Sequence, residues 1–357
     1  MPTKREIYLR RLETVRTRLQ SMPADGLYAT PSSNLYYLTG IDFHRSERLT
    51  ALFLFRDVDP VVICPAFEAE RLRRMAAVDR VVTWEETEDP FAKAAALFPA
   101  SSGTLAIEPS TAYDDVERLL AARSGWKPLS AGCLFGALRM IKSSEEIDMI
   151  RTAIAVAVPR FQKAFAALSP GCREAEISAL FGGENVVQFG PSSALPHGAS
   201  GSTPLSADQA VLIDAWDKPD GYYYDITRST YYGKPTDEYR TVWSVVLEAQ
   251  SAAIDKAAPG VPCSEVDAAA RRVIEKAGYG DYFTHRLGHG LGIDVHEPPY
   301  MVGHDRTPLE PGMTFTSEPG IYLPGRFGVR IEDDIVCTER GAESLSPRVQ
   351  RLEPLSA

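Results

Sequence analysis

An apolar run, Val211-Leu212-Ile213, leads into an aspartate, Asp214, and a second stretch, "YYYDITRST", carries another at Asp225 among residues that favour strands. Between them Asp217-Lys218-Pro219-Asp220-Gly221 is a concentrated turn signal. The segment reads as a β-hairpin with one acidic side chain in each strand. A turn centred on Pro219 and Asp220 would set Asp214 directly opposite Asp225, with Cβ atoms about 4.5–5.5 Å apart. Two like charges at that spacing repel, so something positive is wanted between them.

The arrangement recurs. In "MTFTSEPGIYLPGRFGVRIEDDIV", Glu318 and Glu332 flank a Pro324-Gly325 turn and face one another if the turn centres on Gly325. Between the two hairpins "THRLGHGLGIDVHEPPY" holds His285, His289 and His296, half of the chain's six histidines, among Gly288, Gly290 and Gly292. Glycine permits close backbone approach, which suits a site where an ion or ligand nears the main chain. Each acidic residue alone reads as a solvated strand or turn residue. Two carboxylate hairpins and a glycine-flanked histidine in one stretch of chain form a specific combination. Four carboxylates and an imidazole are hard to borderline donors, suited to Mn²⁺, Fe²⁺, Co²⁺ or Zn²⁺. A structural zinc would prefer thiolates, and calcium would not normally take the histidine. The charge is too great for one catalytic ion. Two ions sharing bridging carboxylates, about 3.5–4 Å apart, fit better.

The 357 residues, 44% hydrophobic and 24% charged, suit two globular domains. "GLYAT", "NLYYLTG", "ALFLF", "VVIC", "VVTW" and "TLAIE" read as strands, and 66–77, 90–97 and 111–122 as helices. These make a small α/β domain over residues 1–135. Tyr8, Leu12, Val15, Leu19 and Met22 repeat as one helix face at the start. That opening reads as a helix and not as a transit peptide. At the join Ser143 and Glu146 form a capping box for a helix that Pro159 should kink or divide. Helices are expected at 236–257 and 263–277, with strands and turns over 185–233 and 283–339. The second domain, 136–357, is therefore α+β. A net charge of −10 argues against a nucleic-acid partner, and no apolar run is long enough for a membrane span. The five scattered cysteines, without a CxxC pair, point to a reduced, cytoplasmic protein.

"LPHG", "D…GYYYDITR", "GHGLGIDVHEPP", "TSEPGIY" and "VRIEDD" resemble, in order and spacing, the metallopeptidases of the pita-bread fold. That group holds Xaa-Pro dipeptidase (prolidase), aminopeptidase P and methionine aminopeptidase. The resemblance implies a pita-bread catalytic domain behind a smaller, creatinase-like α/β domain. It also implies a homodimer and two divalent ions per chain, manganese first, with cobalt or zinc as alternatives. Carried over residue by residue, it makes Asp214, Asp225, His289, Glu318 and Glu332 the metal ligands, with Asp225 and Glu332 shared between the ions. Glu318 would move the proton of a hydroxide-forming water, His197 and His296 would contact substrate, and Arg330 would support Glu332. The implied activity is hydrolysis of Xaa-Pro dipeptides. The alternatives are an Xaa-Pro aminopeptidase acting on longer peptides or a non-catalytic binding protein of the same fold. Two departures stand out. Trp216 stands where the family usually has glycine. Tyr300 follows "HEPP" where many prolidases soon place a carboxylate-binding arginine, a task left to Arg306, with His304 undecided and His285 expected to be structural.

Overall fold

The Thr3 hydroxyl accepts from the Glu6 N–H and the Glu6 carboxylate accepts from the Thr3 N–H, a capping box that starts helix α1, Lys4–Ser21. Its buried face carries Leu12, Val15 and Leu19, as the spacing predicts; Met22 falls just past the last turn, as its cap. The computed structural model describes residues 3–355, and the chain divides into two compact units between Leu138 and Arg139.

In the first unit β1 (Gly26–Ala29) is followed by α2 (Ser33–Thr39), β2 (Ala51–Phe55), β3 (Val58–Pro65), α3 (Ala69–Met75) and β4 (Arg80–Trp84). Then come α4 (Pro90–Ala95), β5 (Gly103–Ile107), α5 (Tyr113–Ala122) and β6 (Trp126–Ser130). One six-stranded sheet, in the order β4-β3-β2-β1-β5-β6, mixes parallel and antiparallel pairs. Tyr28, Phe53, Phe55, Phe98 and Trp126 pack into an aromatic core against it. Two segments differ from expectation. "NLYYLTG" is helix α2, because Ser32 Oγ caps the Leu35 N–H at 3.2 Å and Gly40 closes the other end. Local capping there outweighs the strand propensity of its tyrosines. β6 was not anticipated, since Lys127 and Pro128 interrupt its pattern; at the sheet edge a missing N–H costs little.

Helix α6 (Gly132–Arg139) closes the first unit, and the first helix of the second is α7 (Ser144–Ala167), which opens on the Ser143–Glu146 capping box. Pro159 neither divides nor ends α7. It lies on the exposed face, so the carbonyl of Ala155, also exposed, loses its helical donor to solvent and not to a dry interior. After α8 (Glu174–Ser178), strands β7 (Glu184–Phe189), β8 (Gln209–Asp217) and β9 (Tyr224–Tyr232) form an antiparallel sheet in chain order. Helices α9 (Asp237–Lys256) and α10 (Cys263–Lys276) follow. β10 (Gly288–Gly290), β11 (Glu297–Met301), β12 (Thr314–Ser317), β15 (Asp333–Thr338) and β16 (Gly341–Ser344) build a five-stranded sheet, and β13 (Gly320–Leu323) pairs with β14 (Phe327–Arg330). Trp243, Val246, Phe315, Ile321, Val329 and Ile335 lie in the core between helices and strands.

The first hairpin is shifted from its expected register. Asp214 pairs with Thr227 and Asp225 with Trp216, so the two aspartates are diagonal neighbours and not a facing pair. The turn centres one residue later than expected because Gly221 takes a positive φ of 85°. The second hairpin keeps its register: Gly320 faces Arg330 and Ser317 faces Asp333, about one turn centred on Gly325. Glu318 and Glu332 occupy the break between these two ladders. Their N–H groups leave the hairpin there, bonding Leu287 O at 2.9 Å and Thr227 O at 3.1 Å. That double escape ties the hairpin to β9 and to the chain entering β10, and it turns both glutamates towards one place.

Candidate metal centre

β8 and β9 supply Asp214 and Asp225, β10 supplies His289, and the hairpin break supplies Glu318 and Glu332. Ligand atoms of Asp214, Asp225 and Glu332 lie within 4.8 Å of one another, as do those of His289, Glu318 and Glu332, and those of Asp225, His289 and His296. Two of these groups share Glu332 and two share Asp225, which is the pattern two adjacent ions would need. His289 is 3% exposed, Asp225 6% and Glu332 2%. The glycines around His289 serve packing: a Cβ on Gly288 would sit 2.0 Å from Thr316 O, and one on Gly290 2.3 Å from Pro298 O.

The imidazole of His289 is oriented by its own strand. Nδ1 lies 3.1 Å from Gly290 O, a contact that needs the proton on Nδ1. Nε2 is then a lone pair facing Glu318 Oε1 at 3.3 Å and Asp225 Oδ2 at 3.6 Å. Such a dry cluster of acceptors is costly when its carboxyls ionise, and a cation would satisfy the imidazole and the carboxylates together. Burial pushes the His289 ring down to about 3, helped by the neighbouring His296, so protonation does not supply that cation. Burial holds the Asp225 carboxyl well above its ordinary range, with Glu332, Asp214 and Glu318 adding to the rise. Glu332 is raised for the same reasons, burial first, and burial lifts Glu318 to about 7. The donor set fits two divalent ions.

Supporting residues surround the ligands. Arg330 is buried and donates Nη2–H to Asp214 Oδ2 at 2.7 Å, Nε–H to Thr227 Oγ1 at 2.9 Å and Nη1–H to Tyr322 at 2.9 Å. It therefore supports Asp214 directly and reaches Glu332 through the Thr227 hydroxyl, which lies 2.6 Å from Glu332 Oε2. His285 accepts from Tyr322 at Nε2 (2.9 Å) and donates from Nδ1 to Arg286 O (2.7 Å), a bonded role in the wall. The run Glu332-Asp333-Asp334 splits its tasks. Asp333 takes Arg228, Ser346 and Gln250, while Asp334 accepts the Asp225 N–H at 3.2 Å.

These groups line a cleft of about 670 Å³ together with His197, Trp216, Glu184, Arg286 and His296. His197 and His296 are exposed in it, and the His296 ring stands edge-on to His289 with centroids 4.2 Å apart. Burial and the charge of Arg286 lower His296. Arg306 is not among the lining residues. It lies with His304 in a separate groove beside α10, 3.3 Å from Ser264 Oγ. The cleft instead presents Arg286, half-buried, whose guanidinium stacks on the Tyr300 ring at 4.8 Å. Sequence reasoning missed Arg286, because strand alternation puts it on the opposite face from His289. The chain leaves that alternation before β10 starts. Among the described residues Arg286 has no carboxylate within 4 Å.

The comparisons with known proteins agree with this geometry. The model of metallopeptidase family M24 matches residues 148–339, and that of the creatinase/prolidase N-terminal domain matches 11–141. The chain is 36% identical to a putative dipeptidase of Bacillus subtilis, YkvY, over 95% of this chain and 98% of that protein. It is similar to the crystal structure of dipeptidase PepE from Mycobacterium ulcerans, at 34% identity and a TM-score of 0.92 over the full length of both chains. It is also similar to a prolidase from Thermococcus sibiricus, at 31% identity and a TM-score of 0.91 over 98% of this chain and 99% of the other.

Proposed function

The chain belongs to metallopeptidase family M24, and from that premise we propose that it is an Xaa-Pro dipeptidase. Its catalytic part is the pita-bread domain, residues 136–357 by the sequence reading. The observation that carries the proposal is the convergence of Asp214, Asp225, His289, Glu318 and Glu332 on overlapping clusters of ligand atoms within 4.8 Å of one another. Two divalent ions held there would lower the pKa of a shared water enough to make a nucleophile at neutral pH.

The chain's own groups then have separate tasks. As the family resemblance implies, Asp225 and Glu332 would be shared by the two ions, with Asp214 serving one and His289 and Glu318 the other. Glu318 accepts the proton released at the nucleophile and hands it to the departing proline nitrogen. His296 and His197, exposed in the cleft, donate hydrogen bonds to the carbonyl oxygen as it gains charge. Arg330 keeps Asp214 and Thr227 in place. Arg286 is placed to meet a free α-carboxylate, which favours dipeptides over longer chains. Proline specificity is supported by the likeness to a prolidase. Manganese and a homodimer follow the family resemblance. A cytoplasmic location follows from the scattered, unpaired cysteines.

Metal-stripped protein restored with Mn²⁺, Co²⁺ or Zn²⁺ should cleave an Xaa-Pro dipeptide in preference to an Xaa-Pro-Xaa tripeptide. Preference for the tripeptide would make it an Xaa-Pro aminopeptidase. Cleavage of other dipeptides at equal rates would remove the proline requirement.

A further inference from the structure

Across β7, β8 and β9, Glu184, Trp216 and Asp225 form one transverse row: Glu184 pairs with Trp216, and Trp216 with Asp225. Directly paired residues project to the same face of a sheet, and all three line the cleft. The row grades outward from buried Asp225 through half-buried Trp216 to exposed Glu184. Trp216 Nε1–H donates to Glu184 Oε2 at 2.8 Å, which holds the carboxylate beside the indole and leaves Oε1 free. Among the described residues no Lys, Arg or His lies within 4 Å of Glu184. Every other carboxylate lining the cleft belongs to the metal centre; Glu184 does not. Two strand spacings, about 9–10 Å, separate its backbone from that of Asp225.

On the peptidase reading above, the scissile carbonyl sits at the metal centre. The substrate's α-amino group is one carbon from that carbonyl, so it stays beside the centre. A cation that reaches the outer end of the row must sit at the tip of a long side chain. We infer that Glu184 and Trp216 form a subsite for a basic side chain, lysine or arginine, on the substrate's N-terminal residue. The apolar stem of such a residue lies along the indole, its charge sits over or beside the ring, and Oε1 of Glu184 receives its N–H.

The test compares kcat/KM and calorimetric binding for Lys-Pro and norleucine-Pro, which share a stem and differ in the terminal charge. The wild type should favour Lys-Pro, and E184Q should cut that preference about fivefold, the size expected of an exposed ion pair. Norleucine-Pro should be unaffected, and E184K should turn the preference towards Glu-Pro. Equal losses on both substrates in E184Q would mean that Glu184 serves the α-amino group or props Trp216, and an unchanged ratio would mean no contact; either overturns the subsite. Hydrolysis of norleucine-Pro by the wild type tests the peptidase reading separately. If it fails, the binding preference and its loss in E184Q still decide the subsite.

Discussion

His289 and Glu318 enter the proton count of the centre in opposite ways. In the metal-free protein His289, pushed down to about 3, is already neutral at pH 6. Glu318, lifted to about 7, still carries its proton at that pH. A cation must displace that proton, so metal affinity rises with pH up to about 7 and falls below it. Titration calorimetry at pH 6 in two buffers of different ionisation enthalpy should show net proton release, smaller at pH 8 as the share of Glu318 disappears. Equal release at both pH values would remove Glu318 from the ligand set. Arg286 offers a second prediction at this scale. Charge-assisted hydrogen bonds contribute about 1.5–3 kcal/mol, so R286A should cost about ten- to a hundredfold in kcat/KM on an Xaa-Pro dipeptide. On the dipeptide amide, which lacks the carboxylate, it should cost little. R306A, in the other groove, serves as the control.

At the scale of elements, the segment between β10 and β11 that carries His296 is pinned from below. Glu297 receives Lys142 Nζ at 2.7 Å and also pairs with Arg139, which reaches Asp294 at 2.8 Å; Glu297, Lys142 and Arg139 are all buried. Removing one partner of such a cluster leaves uncompensated charge and costs about 3–5 kcal/mol. E297Q should therefore lower the melting temperature markedly while its metal content stays stoichiometric. A small change in Tm would show that the cluster is solvated in solution. Long elements such as α9 and α10 were legible from apolar spacing, and so was the composition of the centre, because carboxylates in apolar strands are anomalous wherever they occur. The diagonal placing of Asp214 and Asp225 was not, since it depends on the backbone of one glycine, Gly221. Nor was α2, whose caps outweigh its strand-like residues, nor Arg286, which leaves strand alternation before β10 begins.

At the scale of the molecule, every proposed ligand lies after Arg139, while the first unit has its own sheet and aromatic core. Ions that bind only the folded second unit stabilise it by mass action, about 2.7 kcal/mol at a hundredfold excess over Kd. For about 220 residues that is roughly 5–10 °C in Tm. Without ions, the second unit must keep Asp225 and Glu332 buried against each other's charge, with carboxyls held well above their usual range. Cations bound there would complete the packing of this unit as well as its chemistry. Scanning calorimetry of the whole chain should show two transitions, of which only one moves upward with Mn²⁺. A chelator should move that same transition down. Equal movement of both would mean that the two units unfold as one cooperative body, and movement of neither would place the ions outside the cluster of Asp214, Asp225, His289, Glu318 and Glu332.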